Sequence, residues 1–529
     1  MVSATLPKSA DTDKTTLSTD GKVCWESDDR ITVNGTGLGI SAVLSDTLAL
    51  FEGEVGDITT TYGSGYWATY PASLNATGYN ASSVNVTLPA TQTCKGDTIP
   101  NYMAAFNTAA DSNKLDLQFK NLCCMIKIPV KAATGKTGDG AKLSKIEIIS
   151  DCNICGEAKI NKSAGGNLSM SMTSSSLSSR KMIVDCVNKF LSSSVADTFY
   201  VMLPPVSNSL LFFRFYDATG KCMQEKLTVA GTGTARNTIY RMPTVTLDAK
   251  IPVGALPEKF SVSGTQKVYF SQGNLQYIGS GSVAGESATP PYWRFATNQW
   301  DCIGNGTSSG TGPGNVTYIT GATAYNNSDK SAACRDLFGY GTSGYNSKNP
   351  WMTSTTAGDY PSSSLGANTD WGRKNPIYNG GNTAGMWRTL TNDQWTYLFD
   401  TRSDTYRFSA ARVHGKNGIV IFPDGFNYSG VSFGQKNNKT ANPGSTVISD
   451  QNWLTLECLG CLFLPCSYYR DGTTITSNDG DKKYTTNYWT ATAGIYVTTY
   501  YVSGYNIVLG ASDGARSIGM CVRLATYAN

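Results

Sequence analysis

The sequence predicts a mainly β protein: two successive β-sandwich domains, then a loop-rich α+β domain. Three observations predict it. The first 250 residues contain short apolar stretches cut by turn residues, several of them alternating apolar and polar, as half-buried strands do. No helical periodicity of useful length accompanies them. After residue 257 the texture changes: seven of the ten tryptophans (Trp293, Trp300, Trp351, Trp371, Trp387, Trp395 and Trp453) fall between 258 and 460, among long Gly/Ser/Asn/Thr stretches. A region so poor in regular elements needs its aromatics to supply core area.

The elements follow in order. Residues 1–25 are polar, with no apolar h-region, and are expected to form a flexible leader rather than a signal peptide. Residues 26–130 form the first sandwich, with strands at Ala42-Val43-Leu44, Tyr66 to Tyr70, Ser83 to Leu88 and Leu115 to Phe119. Residues 131–247 form the second, with strands at Leu143 to Ile149, Phe199 to Leu203 and Leu211 to Phe215. Residues 248–257 carry two prolines and a glycine, a linker composition. Residues 258–529 form the third domain. Thr391-Asn392-Asp393-Gln394 is a capping box ahead of Trp395, Leu398 and Phe399, and a second short helix is expected at Trp453 to Cys458. Strands return at Tyr488 to Thr492, Tyr500 to Val502, Ile507 to Leu509 and Cys521 to Leu524.

Composition excludes several function classes. Of 529 residues, 16% are charged, with 43 Lys+Arg against 39 Asp+Glu. A net charge of +4 does not supply the dense basic face of a general nucleic-acid binder. No apolar run approaches the length of a transmembrane helix. One histidine, His414, serves the whole chain, which removes multi-His metal sites and leaves His-dependent nucleophilic catalysis a single candidate base. His414 precedes the strand Gly418 to Phe422 and reads as a turn or surface residue. A composition rich in Ser, Thr, Asn, Gly and Tyr fits an exported β protein.

Fourteen cysteines permit disulfides without revealing their pairing. Cys123 and Cys124 sit in the apolar run LCCMIKIPV and read as small buried hydrophobes. Cys152/Cys155 and Cys458/Cys461 share CxxC spacing, but they lie about 300 residues apart and lack a βαβ context, so both pairs are read as structural.

Residues 26–247 resemble a fimbrillin-like (Mfa-like) protein, the pilin class of type V pili in Bacteroidales-type bacteria. The resemblance rests on Asp29-Arg30-Ile31-Thr32-Val33, Tyr70-Pro71-Ala72, Leu88-Pro89-Ala90-Thr91-Gln92-Thr93, Phe119-Lys120-Asn121-Leu122-Cys123, Leu203-Pro204-Pro205 and Ile239-Tyr240-Arg241-Met242, in that order. It implies two transthyretin-like β-sandwich domains, export as a lipoprotein precursor, and assembly with other pilin subunits by strand donation at the outer membrane and cell surface. The chain departs from that pattern at its start: Cys24 does not sit in lipobox context. Arg30, just before a strand, is similar to the processing site of some such pilins.

Residues 258–529 resemble a C-type-lectin-like module related to the Fibrobacter major paralogous domain. That match rests on Val268-Tyr269-Phe270-Ser271-Gln272-Gly273-Asn274-Leu275, Arg294 to Trp300, Asp336 to Gly344, Trp387-Arg388-Thr389-Leu390-Thr391, Phe422 to Phe426, Phe463-Leu464-Pro465, Tyr488-Trp489-Thr490 and Cys521-Val522-Arg523-Leu524. Trp489 is expected in the core, and Arg523, ending a buried strand, is expected to need a carboxylate partner.

The resemblance implies a binding module, and its candidate sites follow. The calcium triplets of sugar-binding C-type lectins are absent, since Thr490 follows Trp489. Asp471, Asp479, Asp481 and Asp513 could supply oxygen ligands for a structural calcium; Asp479 and Asp481, in an oxygen-rich loop, are the candidates adopted, weighed against a solvated turn. Tyr496, Tyr500, Tyr501 and Tyr505 could stack on a glycan or a host-surface protein, because strand alternation cannot bury all four on one face. The fold also hosts formylglycine-generating enzymes, for which Cys461 and Cys466 are the only comparable pair. The apolar Leu462 to Pro465 between them argues against a reactive thiol. The reading adopted is a non-enzymatic, fimbria-associated tip or accessory subunit presenting an adhesive module. A formylglycine-generating-type enzyme and a surface lipoprotein without an assembly role are the alternatives.

Overall fold

The computed structural model describes residues 2–6, 25–53, 65–94, 101–108, 110–111, 114–279, 283, 286–301, 334–434, 436–467, 469–476, 486–493, 496–501, 505–511 and 516–528. The chain is mainly β and divides into two compact units, Met1–Lys250 and Ile251–Asn529. The division falls within the expected linker.

Unit one contains β1 (Val2–Thr5), β2 (Arg30–Val33), β3 (Thr36–Ser45), β4 (Leu48–Glu52), β5 (Tyr66–Tyr70), β6 (Ser83–Leu88), β7 (Thr91–Thr93), β8 (Met103–Asn107), β9 (Ala110–Asp111), β10 (Lys114–Gln118) and β11 (Lys120–Asn121). They are followed by β12 (Cys124–Ala132), β13 (Lys142–Ser150), β14 (Gly156–Lys162), β15 (Leu168–Met172), β16 (Lys181–Phe190), β17 (Asp197–Leu203), β18 (Ser209–Asp217), β19 (Cys222–Val229), β20 (Ile239–Arg241) and β21 (Val245–Leu247).

A nine-stranded sheet runs in the order β11-β8-β5-β2-β3-β4-β1-β10-β9. It curls on itself: the Asn107 side-chain amide on β8 donates to the Asp116 carbonyl on β10 at 2.7 Å. Inside the curl lie Ile31, Val33, Leu38, Phe51, Ala68, Leu117 and Phe119, closed by Trp25, whose ring meets Phe51, Tyr70 and Phe119 edge-on. The second sandwich packs the sheet β19-β18-β13-β16-β7 against β17-β12-β20 over a core of Ile126, Ile128, Ile146, Ile148, Val201 and Phe213. A third sheet, β15-β14-β6, shares a core with residues of both: Trp67, Val86, Ile160, Met125 and Met202.

Two corrections to the sequence reading follow. The boundary drawn at 130/131 cuts through β12. Moreover β6 and β7, counted in the first domain, pair with β14 and β16, so the halves interlock through residues 83–93. The leader reading fails for residues 2–6 and for Trp25: β1 is an interior strand with Val2, Ala4 and Leu6 buried. Alternation Val-Ser-Ala-Thr-Leu drives these three side chains into the core.

The pilin-like motifs meet in space. Tyr70 donates its hydroxyl to Asp29 Oδ1 at 2.6 Å, while the Glu26 amide donates to Asp29 Oδ2 at 2.8 Å. Buried Gln92 acts as a strand substitute: its Oε1 accepts from the Met202 amide at 3.0 Å, and its Nε2 donates to the Met202 carbonyl at 2.8 Å. An amide side chain offers a donor and an acceptor on separate atoms, as a peptide group does.

Unit two builds several small sheets around three aromatic-rich cores. Its first two described strands and its last lie in one sheet: Phe260–Ser261 pairs with Lys267–Phe270, which pairs with Leu524–Tyr527. The capping box forms as expected, Thr391 Oγ1 accepting from the Gln394 amide at 3.2 Å and Gln394 Oε1 from the Thr391 amide at 3.0 Å. The second helix spans Asp450–Cys458 and begins three residues earlier than the apolar run suggests, because Ser449 caps it.

Buried polar groups hold the loops. Arg523 is buried, but it precedes the final strand and its bonded partners are not carboxylates. It donates to Asn274 Oδ1 (3.1 Å) and to the carbonyls of Ser271 (3.1 Å), Gln299 (3.3 Å) and Phe463 (2.8 Å). Backbone carbonyls, one of them from the edge strand Leu462–Pro465, supply the acceptors that a carboxylate was expected to supply. Asp370 caps the helix Trp371–Lys374, accepting from Gly372 (3.0 Å) and Arg373 (3.3 Å), and its other oxygen accepts from Thr389 (2.8 Å).

Burial pushes the Asp370 carboxyl up to about 6, because the three N–H donors offset desolvation only in part. The folded state therefore holds this proton more tightly than the unfolded chain. Its contribution to stability is complete below about pH 4 and is lost as pH rises through about 6. In denaturant unfolding of the whole chain, the stability of wild type relative to Asp370→Asn should fall by about 2 kcal/mol between pH 4 and pH 7. A pH-independent difference would contradict the assignment.

Candidate functional site

The feature that distinguishes unit one is the seat of β1. This strand pairs parallel with β10, from Val2↔Leu115 to Thr5↔Gln118, and antiparallel with β4, from Val2↔Phe51 to Thr5↔Leu48. The pairing runs on past its end: the Leu6 amide donates to Thr47 O at 2.9 Å, and the Phe119 amide to Thr5 O at 2.9 Å. Ser3 faces the other way and donates its hydroxyl to Asp116 Oδ1. Without β1, both β4 and β10 would present an unpaired edge above an apolar trough lined by Phe51, Leu115 and Leu117. A trough of that kind accepts an extended segment carrying small or aliphatic side chains at alternate positions. Nothing in the slot requires that the segment belong to the same chain.

The chain forms this slot because β3 and β4 make a hairpin whose free side has no local partner. Asp46 and Thr47, at its turn, bond to Trp25 and Leu6 instead, at 3.0 and 2.9 Å. Sequence reasoning missed the site. The signal was the five-residue alternation at Val2 to Leu6, overshadowed by the polar stretch after it.

In unit two, the aromatic candidates fall on a three-stranded sheet of Thr486–Trp489, Tyr496–Tyr501 and Tyr505–Ala511. Tyr501 faces Tyr505 across the register, and Tyr500 faces Asn506. Tyr496 is half-buried, its ring edge-on to Trp489 at 6.0 Å, and so contributes to the core. The side chains of Tyr500, Tyr501 and Tyr505 lie outside the described residues, as do Asp479, Asp481 and Asp513. Asp471 is exposed at the end of a short hairpin strand. Among the described residues, no group of three or more His, Cys, Asp or Glu could hold a metal ion. No helix among them is long and apolar enough to cross a membrane.

His414 occupies the turn of the hairpin Phe408–Val413/Lys416–Ile421, at φ 46°, with Gly415 at φ 73°. Its ring stacks on Trp300 at 4.6 Å, and its Nδ1 lies 3.0 Å from Asp450 Oδ1. It is a turn residue clasped between an indole and a helix start. Cys461 is wholly buried, and burial pushes its thiol well above the ordinary range. An attacking thiolate is therefore disfavoured at the position on which the enzyme alternative depends.

No protein-family model matches the chain, and no curated protein does. Solved structures with partial similarity include a candidate cell-adhesion protein from Bacteroides uniformis: 15% identity, TM-score 0.29, covering 46% of this chain and 93% of that one. A fimbrial protein from Bacteroides vulgatus gives 12% identity and TM-score 0.23, covering 46% and 97%. A fimbrial protein from Bacteroides ovatus gives 11% identity and TM-score 0.22, covering 100% of this chain and 98% of that one.

The seat of β1 has a direct stability consequence. Ala4 is fully buried between β4 and β10, so Ala4→Asp places a carboxylate in the core and should cost about 3 kcal/mol or more in urea unfolding. Thr5→Ser, at the half-exposed end of the strand, should cost far less. Equal effects would mean that β1 is not held as described.

Proposed function

We propose that this is a cell-surface, fimbria-associated protein. In this reading unit one docks into a pilus by strand exchange, and unit two is a C-type-lectin-like module presented as a tip or accessory element. The observation that carries it is the interior position of β1, a short strand joined to the next described residue only through residues 7–24. Replacing β1 by an extended segment of another pilin subunit would restore every backbone bond and refill the same trough. The pilin-like motifs support the reading, since Asp29 with Tyr70, and Gln92 with Met202, are bonded pairs rather than scattered matches.

Unit two supports the second half of the reading more generally. A compact body of 279 residues follows unit one, and its bulk would hinder a place in the middle of a polymer. A subunit carrying such a body fits better at an end of the polymer or beside it. Surface loops on a rigid scaffold are where the ligand, glycan or host protein, would be held. The tyrosine hairpin is its proposed location, and Asp479 with Asp481 remain the proposed calcium ligands.

The test uses the full chain and a variant lacking residues 1–24. A labelled synthetic peptide of residues 2–8 is titrated against each and followed by fluorescence anisotropy. The truncated chain should bind the peptide saturably, and the full chain should not. A truncated chain that is folded yet does not bind the peptide would overturn strand exchange as the assembly route.

A further inference from the structure

A pair of thiols in the second sandwich supports an inference separate from assembly. Strand β7 runs parallel to β16, with Ile183↔Thr91, Val184↔Gln92 and Asp185↔Thr93 in register. The ladder continues one step, because the Cys94 amide donates to the Asp185 carbonyl at 3.0 Å. Cys94 and Cys186 are therefore cross-strand neighbours. Alternation turns both inward: Gln92 and Val184 are buried, Thr93 and Asp185 are exposed, and Cys94 (7% exposed) and Cys186 (2%) are buried again in one core cluster. Adjacent strands stand about 4.8 Å apart, within the Cα separation of roughly 4.4–6.8 Å that a disulfide spans. Both sulfurs are free thiols in this structure.

We propose that Cys94 and Cys186 form a disulfide that staples the short edge strand β7 to the sheet. The oxidant is of the disulfide class, such as oxidised glutathione. One cysteine thiolate attacks the oxidant, forming a mixed disulfide and releasing one glutathione thiolate. The second cysteine thiolate then attacks the first cysteine's sulfur in that mixed disulfide, releasing the other glutathione as its thiolate. Two protein thiols and one glutathione disulfide thus become one protein disulfide and two glutathione thiols. The bond closes a loop of roughly ninety residues, running from the end of β7 to β16.

Burial pushes both thiols above their ordinary range, and Cys94 raises Cys186 further. The bond should therefore form during folding, or when β7 lifts, rather than by attack on the closed native state. Register rather than hydrogen bonding singles this pair out: Cys186 donates to the Val184 carbonyl at 3.5 Å, much as Cys155, in the same core, donates to the Lys181 carbonyl at 3.1 Å.

The test is peptide mapping of the full chain refolded in a glutathione redox buffer, with free thiols alkylated before digestion. A peptide linking Cys94 to Cys186 is expected, absent after reduction. The oxidised chain should melt on the order of 5–10 °C above the reduced one, and this shift should vanish in Cys94→Ala/Cys186→Ala. Recovery of both cysteines as alkylated thiols, or linked to other partners, from a chain that refolds normally would overturn the proposal. If the double variant fails to fold, mapping of the wild type alone still decides it. The chemistry is read on purified protein, so a failure of the pilus reading would not affect it.

Discussion

The fold of unit one depends on one constraint: an interior position in a sheet must be filled by a strand. β4 and β10 each carry backbone donors and acceptors that no other described part of unit one reaches, and β1 satisfies both at once. Its three buried side chains complete the core that Trp25 closes from above. The strand is only four residues long, and adjacent residues extend its bonding at either side by one amide each. A short insert that completes a large sheet is a point where a subunit can be both stable and exchangeable. It is the property that strand donation requires.

Unit two meets a different difficulty. Its strands are short and its connections long, so backbone carbonyls accumulate where no ladder can satisfy them. Arg523 gathers three backbone carbonyls with one side chain, and the capping carboxylate of Asp370 ties a helix start to a neighbouring strand. Asn379 does the same on a smaller scale, accepting from the Phe295 amide and donating to its carbonyl. Buried polar side chains act here as ladder substitutes, which keeps a loop-rich body rigid enough to present its surface.

Much of this was legible in the sequence. Alternation located β6, β10 and β13 to within a residue, because each has one buried face. The capping box and the buried Trp489 followed from local chemistry. Long-range choices were not legible. Nothing local in Val2 to Leu6 says that the strand lies between β4 and β10 rather than in solvent, since its partners are some 45 and 113 residues away. The partners of Arg523 were equally hidden, because backbone carbonyls carry no sequence signature. The 130/131 boundary failed for a related reason: β6 and β7 follow the first-domain strands in sequence but pair with the second set. Of the candidate ligand residues, only Tyr496 has a described side chain, and it faces Trp489.

The first unit is thus closed by a short inserted strand, proposed to be replaceable, and the second is a well-pinned body of its own. Native-state hydrogen exchange of the intact chain tests the replaceable strand most directly. The amides of Leu6 and Phe119 bond on either side of the C-terminal end of β1, whereas the Asn34 amide bonds to Trp67 O between β2 and β5, away from the slot. If β1 leaves its slot as a unit, Leu6 and Phe119 exchange together through an opening of lower free energy than the one that frees Asn34. If all three exchange only with global unfolding, β1 is a permanent part of the sheet, and assembly by its replacement is excluded.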